Sequence, residues 1–249
     1  LLSFSILFFN LCFNKFNYYF DTVPLLISLL IAYFLPISYK YLAERDLKQD
    51  IKNMFDHYLD PTIIEMLLEN PEELKMGGDK KEVTVFFSDI EGFTTLSEKL
   101  MPEKLLNILN EYLSIPTEIV MKQKGYVDKY IGDAIMAIFG APIKDSNHAR
   151  NACQTALEIQ VFLKQREFSV TENKSIKLNT RIGLHSGPAI IGNIGSDLTK
   201  SKKYNYTAIG DTVNLASRLE GFNKNFMTNI AVSETTKVNA GSDFLFRKL

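Results

Sequence analysis

Two aspartates set against apolar runs are the residues of this chain best placed to do chemistry. Asp89 lies in Phe86-Phe87-Ser88-Asp89-Ile90-Glu91-Gly92-Phe93-Thr94, and Asp133 in Lys129-Tyr130-Ile131-Gly132-Asp133. The stretches beside them, Val83 to Phe87 and Ala134 to Phe139, are rich in β-branched and aromatic residues and are candidates for buried strands. An ionised carboxylate next to a core strand carries a desolvation cost unless a positive group meets it, and a Mg²⁺ ion with phosphate oxygens is a natural partner. Either aspartate alone could equally cap a turn; together they read as a split site for two divalent cations.

A third segment, Tyr206-Thr207-Ala208-Ile209-Gly210-Asp211-Thr212-Val213-Asn214-Leu215-Ala216-Ser217-Arg218-Leu219-Glu220, adds polar groups at helical spacing. Asp211 or Thr212 can cap a helix whose apolar positions Val213, Leu215, Ala216 and Leu219 give it a buried side. Asn214 and Arg218 are then one helical turn apart and project from one face, as a pair grasping one substrate must.

With these three motifs in this order, the chain from about Lys81 to its end resembles the class III nucleotide cyclases. The resemblance implies roles residue by residue. Asp89 and Asp133 match the two metal-binding aspartates, with the Ile90 carbonyl as a further ligand, for two Mg²⁺ or Mn²⁺ ions. Lys129 and Thr207 match the positions that read the purine edge, and Asn214 and Arg218 the pair that orients the ribose and stabilises charge at the reacting phosphate. Lys202 or Lys203 lies where the family often has a basic residue for the terminal phosphates.

A lysine at 129 can donate to the acceptor N1 of adenine, whereas guanine presents a donor there and favours an acidic partner. Thr207 departs from the commoner Asp, and its hydroxyl can both accept and donate. ATP is therefore the expected substrate, cyclised to 3′,5′-cyclic AMP and pyrophosphate, with guanylate cyclase activity or a catalytically weak nucleotide-binding regulatory module as the alternatives. The resemblance further implies a homodimer, because the family's active site takes metal ligands from one catalytic domain and purine-reading residues from the other, and this chain carries both sets.

The elements that must position these residues form an α+β, ferredoxin-like core. After the strand before Asp89, Pro102 to Lys124 reads as an amphipathic helix, Tyr126 to Ile131 and Ala134 to Phe139 as a hairpin through Gly132-Asp133, and Asn147 to Phe168 as a second long helix. Leu178 to Leu184 and Ala189 to Ile194 read as further strands with Gly187-Pro188 at their turn. Met76-Gly77-Gly78-Asp79-Lys80, just upstream, reads as a flexible linker.

Composition bounds the rest. With 249 residues, 46% of them hydrophobic, the chain can hold one well-filled domain and an appendage. A net charge of −1 gives no sign of a nucleic-acid partner. Cys12 and Cys153 lie in different segments, without a structural disulfide implied. The 3 histidines are scattered, so zinc is not expected, and His185 reads as a strand-end packing residue.

Residues 1–39 read as a transmembrane region that meets membrane lipid. Val23 to Tyr39 is an uncharged apolar run, short of the roughly 20 residues a span prefers but extendable, and Leu1 to Phe13 reads as the tail of an earlier span. Lys40, Arg45 and Lys48 follow the second run and would place the catalytic domain in the cytoplasm beneath a multi-pass inner membrane protein. Residues 40–80 read as a connecting helix and linker, in which Leu47, Ile51, Met54 and Tyr58 suit a short two-helix coiled coil, and residues 81–249 as the cyclase domain. The opening at Leu1, within apolar sequence, and the close at Leu249, before the further strands usual in the family, fit a fragment. Its layout is similar to receptor cyclases with an upstream sensor of the CHASE type.

Overall fold

The computed structural model describes residues 22–55, 77–171, 174–198 and 201–249. The chain divides into two compact units, Leu1–His57 and Tyr58–Leu249.

In the first unit, α1 (Thr22–Phe55) is a 34-residue helix with Pro36 inside it. The expected spans are not supported. Among the described residues no helix is long and apolar enough to cross a membrane, and Leu1 to Phe13 lies outside them. The side chains of the coiled-coil seam also lie outside the described residues. What α1 does show is an apolar surface facing solvent from Ile27 through Tyr39, with Leu30, Phe34 and Leu35 all exposed.

The second unit begins with the long strand β1 (Gly77–Ile90), followed by α2 (Phe93–Lys99), α3 (Pro102–Lys122), β2 (Gly125–Ile131), β3 (Ala134–Phe139) and α4 (His148–Gln165). A small hairpin of β4 (Phe168–Thr171) and β5 (Lys174–Ile176) leads into β6 (Thr180–Leu198), β7 (Ser201–Ile209), α5 (Asp211–Phe226), β8 (Ile230–Val232) and α6 (Glu234–Ala240). The main sheet runs β2-β3-β1-β6-β7, with β8 parallel to β6. Its central four strands, β2-β3-β1-β6, are antiparallel throughout and are crossed by α3 and α4, the expected ferredoxin-like arrangement.

The period of two along β1 sorts its side chains between two cores. Phe86 and Ile90 pack with Tyr112 of α3 and Ala152, Ala156 and Ile159 of α4. Val83, Val85 and Phe87 face the other way, into a cluster with Met136, Ile138, Ile191 and Ala216 of α5. Asp89 continues this second face, so its carboxylate leaves the strand on the α5 side of the sheet.

Three local expectations are corrected. Gly77 to Lys80 is not a linker but the start of β1, paired with Asn193 to Ile190 of β6. The glycines serve close approach: a Cβ on Gly192 would lie 2.1 Å from the Gly77 carbonyl oxygen. Gly187-Pro188 is not a turn, because β6 runs unbroken through it, with Pro188 opposite Glu82. Pro188 is tolerated there because β8 pairs only with Ile182 to Leu184 and β7 only from Ile190 onward, so at 188 one side of β6 needs no donor. At the head of α5 the N-cap is Gly210, without a side-chain cap, and the Thr212 hydroxyl instead donates to the Pro188 carbonyl at 2.6 Å.

Candidate active site

Asp89, at the end of β1, and Asp133, in the tight Gly132-Asp133 turn between β2 and β3, converge on one cavity of about 390 Å³. It is lined also by Ile90, Glu91, Gly92, Phe93, Thr94, Arg181 and Lys224. The Ile90 N–H donates to Asp133 Oδ2 at 3.2 Å, which ties the hairpin turn to the end of β1. Burial, reinforced by the nearby Asp89 charge, pushes the Asp133 carboxyl up to about 6.

Arg181 stands directly opposite Asp89 across the β1–β6 ladder and donates from Nη2 to Asp89 Oδ2 at 2.8 Å. Its Nε lies 3.2 Å from Glu220 Oε1 of α5. That helix sits hard against the strand, since a Cβ on Gly183 would come within 2.2 Å of the Glu220 backbone nitrogen. Burial raises the Glu220 carboxyl, the Asp89 charge adds to the rise, and Arg181 opposes it. Beneath the pair, the buried Tyr112 hydroxyl is hydrogen-bonded to Thr180 and its phenol is raised, chiefly by burial.

Among the described residues no group of three or more His, Cys, Asp or Glu side chains could hold a metal ion. Two converging carboxylates beside a main-chain carbonyl nevertheless fit Mg²⁺, which keeps water and substrate phosphate as its remaining ligands. Cys153 and His185 have no part in the cavity. Cys153 is buried in the core, its thiol pushed up to about 12 by burial. His185 is in mid-strand rather than at a strand end, and is 2.7 Å from the Ser233 hydroxyl.

The purine-reading candidates form a separate cluster. Lys129 of β2 lies 3.7 Å from the carboxylate of its neighbour Asp128, and the Thr207 hydroxyl of β7 donates to that same carboxylate at 2.5 Å. Asp128 is almost fully buried; burial raises its carboxyl, and Thr207 and Lys129 oppose the rise. β2 and β7 are opposite edges of the sheet, so the sheet must curl to bring them together. Tyr126 and Tyr206 hold the same seam, with a hydroxyl-to-carbonyl hydrogen bond of 3.0 Å and an edge-on ring contact.

Asn214 and Arg218 are both exposed on α5, as their spacing predicts, and neither lines the cavity. The opposite face of the helix carries Ala216 and Glu220 toward the sheet. Lys203 is exposed on β7 opposite Ser196, away from the cavity lining, and the side chain of Lys202, opposite Asp197, lies outside the described residues. Lys224, not singled out from sequence, is the lysine that lines the cavity.

A family model for the adenylate and guanylate cyclase catalytic domain matches residues 77–248, and the chain belongs to that family. It carries a class III nucleotide cyclase domain. Adenylate cyclase 1 of Rhizobium meliloti is 36% identical over 170 residues, covering 68% of this chain and 25% of that protein. A receptor-type guanylate cyclase of Caenorhabditis elegans is 39% identical over 154 residues, covering 59% of this chain and 14% of that protein. The chain thus spans only a minor part of these relatives. Among solved structures, the guanylyl cyclase Cya2 aligns with a TM-score of 0.60 at 34% identity, covering 67% of this chain and 82% of that one. A bacterial light-regulated adenylyl cyclase aligns at 0.66 and 28%, covering 91% and 60%. Relatives acting on each of the two nucleotides are present, so the likeness establishes the cyclase class and leaves the purine to the site.

Proposed function

We propose that the domain is an adenylate cyclase, forming 3′,5′-cyclic AMP and pyrophosphate from ATP. The observation that carries the base preference is the hydrogen bond from Thr207 to Asp128. Thr207 spends its single proton on the buried carboxylate and therefore faces a ligand as an acceptor. Adenine offers an amino donor at N6, whereas guanine offers an oxygen acceptor at O6 that such a threonine cannot satisfy. Lys129 supplies the matching donor for N1.

In this reading Asp89 and Asp133, with the Ile90 carbonyl, hold two divalent cations, which when bound lower the pKa of the ribose 3′-hydroxyl and neutralise the phosphates. Lys224 adds positive charge for the phosphates at the wall of the same cavity. Arg218 stabilises the charge that develops on the α-phosphate, and Asn214 fixes the ribose for in-line attack. Asn214, Arg218, Lys129 and Thr207 stand outside the metal cavity of their own chain, which supports a homodimer in which each partner completes the other's site. Exposed Tyr130, Ile131 and Ile209, beside Lys129 and Thr207, supply apolar surface for that contact.

The test is product formation by the purified chain with Mn²⁺ and either nucleotide, against Asp133→Ala. Cyclic AMP well above both the blank and the GTP reaction is expected. A dominant cyclic GMP product would overturn the base assignment, and no product from either nucleotide would favour a regulatory nucleotide-binding module.

A membrane position, with the cyclase domain on the cytoplasmic side, is a separate part of the proposal. It is supported by the exposed apolar side chains of α1 and the cations that follow them. The expected outcome is that the chain sediments with membranes and resists salt extraction; a freely soluble chain would overturn it.

A further inference from the structure

Resting on the reading of Asp89 and Asp133 as metal ligands, we propose that Arg181 is a resident counter-cation for this pair, and that Glu220 receives it when a divalent cation takes Asp89. The geometry is that of a guanidinium caught between two acids. One end is satisfied, with Nη2 on Asp89 Oδ2 at 2.8 Å. The other end is not. Arg181 Nε and Glu220 Oε1 are both buried and neither makes a hydrogen bond, although only 3.2 Å separates them. Charge attraction is present, but the N–H is not aimed at the oxygen.

A buried donor and a buried acceptor left unsatisfied side by side are costly, and a small reorientation of the guanidinium would pair them. What opposes that reorientation is the bond to Asp89. Without a metal ion, Asp89 and Glu220 place two carboxylates on this one guanidinium, and Asp133 lies beside Asp89 in the same cavity. A divalent ion held by Asp89 would compete with Arg181 for the carboxylate and would repel the guanidinium. The released guanidinium needs no new space, because Glu220 already waits at hydrogen-bond distance on a helix fixed by its contact with Gly183. Arg181 and Glu220 are therefore positioning residues that act on the metal through Asp89.

The experiment is Mn²⁺ binding without nucleotide, read from the free-ion signal in electron paramagnetic resonance, with thermal melts to verify the fold of each variant. Wild type should bind Mn²⁺ above the Asp133→Ala baseline. Glu220→Gln should bind about tenfold more weakly, because Arg181 loses its alternative anion. Arg181→Gln should bind about tenfold more tightly, because the competitor for Asp89 is gone, and the double variant should bind as Arg181→Gln does, because Glu220 acts through Arg181. If Arg181→Gln weakens Mn²⁺ binding, the residue merely braces Asp89 and the proposal is overturned. Unchanged binding by Glu220→Gln, a variant that keeps shape and volume, overturns it as well and does not depend on how Arg181→Gln folds. A wild type no different from Asp133→Ala would instead remove the metal reading on which this one stands.

Discussion

Around the candidate metal cavity two carboxylates, Asp89 and Glu220, share one guanidinium while Asp133 accepts from the Ile90 N–H; in the candidate purine cluster a single carboxylate, Asp128, is met by an ammonium at 3.7 Å and a hydroxyl at 2.5 Å. In the first region burial, and after it the neighbouring Asp89 charge, push the Asp133 carboxyl up to about 6, so the acids there outnumber the cation that meets them. The second is nearly self-sufficient, so its polar atoms form a fixed donor and acceptor surface. Excess charge suits a site that must attract a mobile cation, and internal balance suits one that must discriminate between two uncharged purine edges.

That contrast can be broken most sharply at the metal side. Asp89→Ala or Asp133→Ala should lower cyclic nucleotide formation by about a thousandfold or more while leaving the fold intact by circular dichroism. Substantial residual turnover would mean that the carboxylate excess is structural. On the purine side, Lys129→Glu should move the ratio of ATP to GTP turnover toward GTP by about tenfold to a hundredfold, with total activity partly retained. A change in rate without a change in ratio would show that the cluster does not read the base.

Whether the two regions cooperate across a dimer is sharpened by mixing two inactive variants. Asp133→Ala and Arg218→Ala chains, mixed in equal amounts, should recover about a quarter of wild-type activity, because half the dimers would hold one intact site of two. No recovery would place both groups in one chain's site.

The smallest effect is on pH dependence. The Asp133 carboxyl lies above its ordinary value of 3.8, so the folded state holds this proton more tightly than the unfolded chain does. The contribution to stability is present below the unfolded pKa and is lost as pH rises toward about 6. In metal-free buffer the melting temperature should therefore carry a downward component between pH 4 and pH 6 that Asp133→Asn removes. An identical slope in the variant would exclude Asp133 as its source.

Legibility from sequence followed the range over which each feature is determined. Ala134 to Phe139 is a strand with the expected bounds, and the helix from Pro102 ends two residues earlier than expected, because strong apolar periodicity is a local property. Gly77 to Lys80 and Gly187-Pro188 were misjudged because glycine and proline carry turn signals that the pairing context overrode. Of the candidate site residues, Asp89, Asp133, Lys129, Thr207, Asn214 and Arg218 stand out in sequence, and the structure brings Asp89 and Asp133 to one cavity; Asp128, Arg181, Glu220 and Lys224 do not stand out. Arg181 did leave a trace, as the one charged residue within the Leu178 to Leu184 strand pattern, which asks for a partner when the strand is buried.

By itself the sequence determined the strand from Ala134 to Phe139 and the long helix from Pro102, that two carboxylates end up beside core strands, and that Asn214 and Arg218 share a helix face, since all of these depend on neighbours a few residues away. Only the tertiary structure decided that Arg181 would stand opposite Asp89 and between it and Glu220, because that depends on the β1–β6 register and on how closely α5 approaches Gly183. It alone also joined Thr207 to Asp128 across the sheet. Those residues lie on opposite edge strands, and only the accumulated twist of the intervening strands brings them within hydrogen-bond reach.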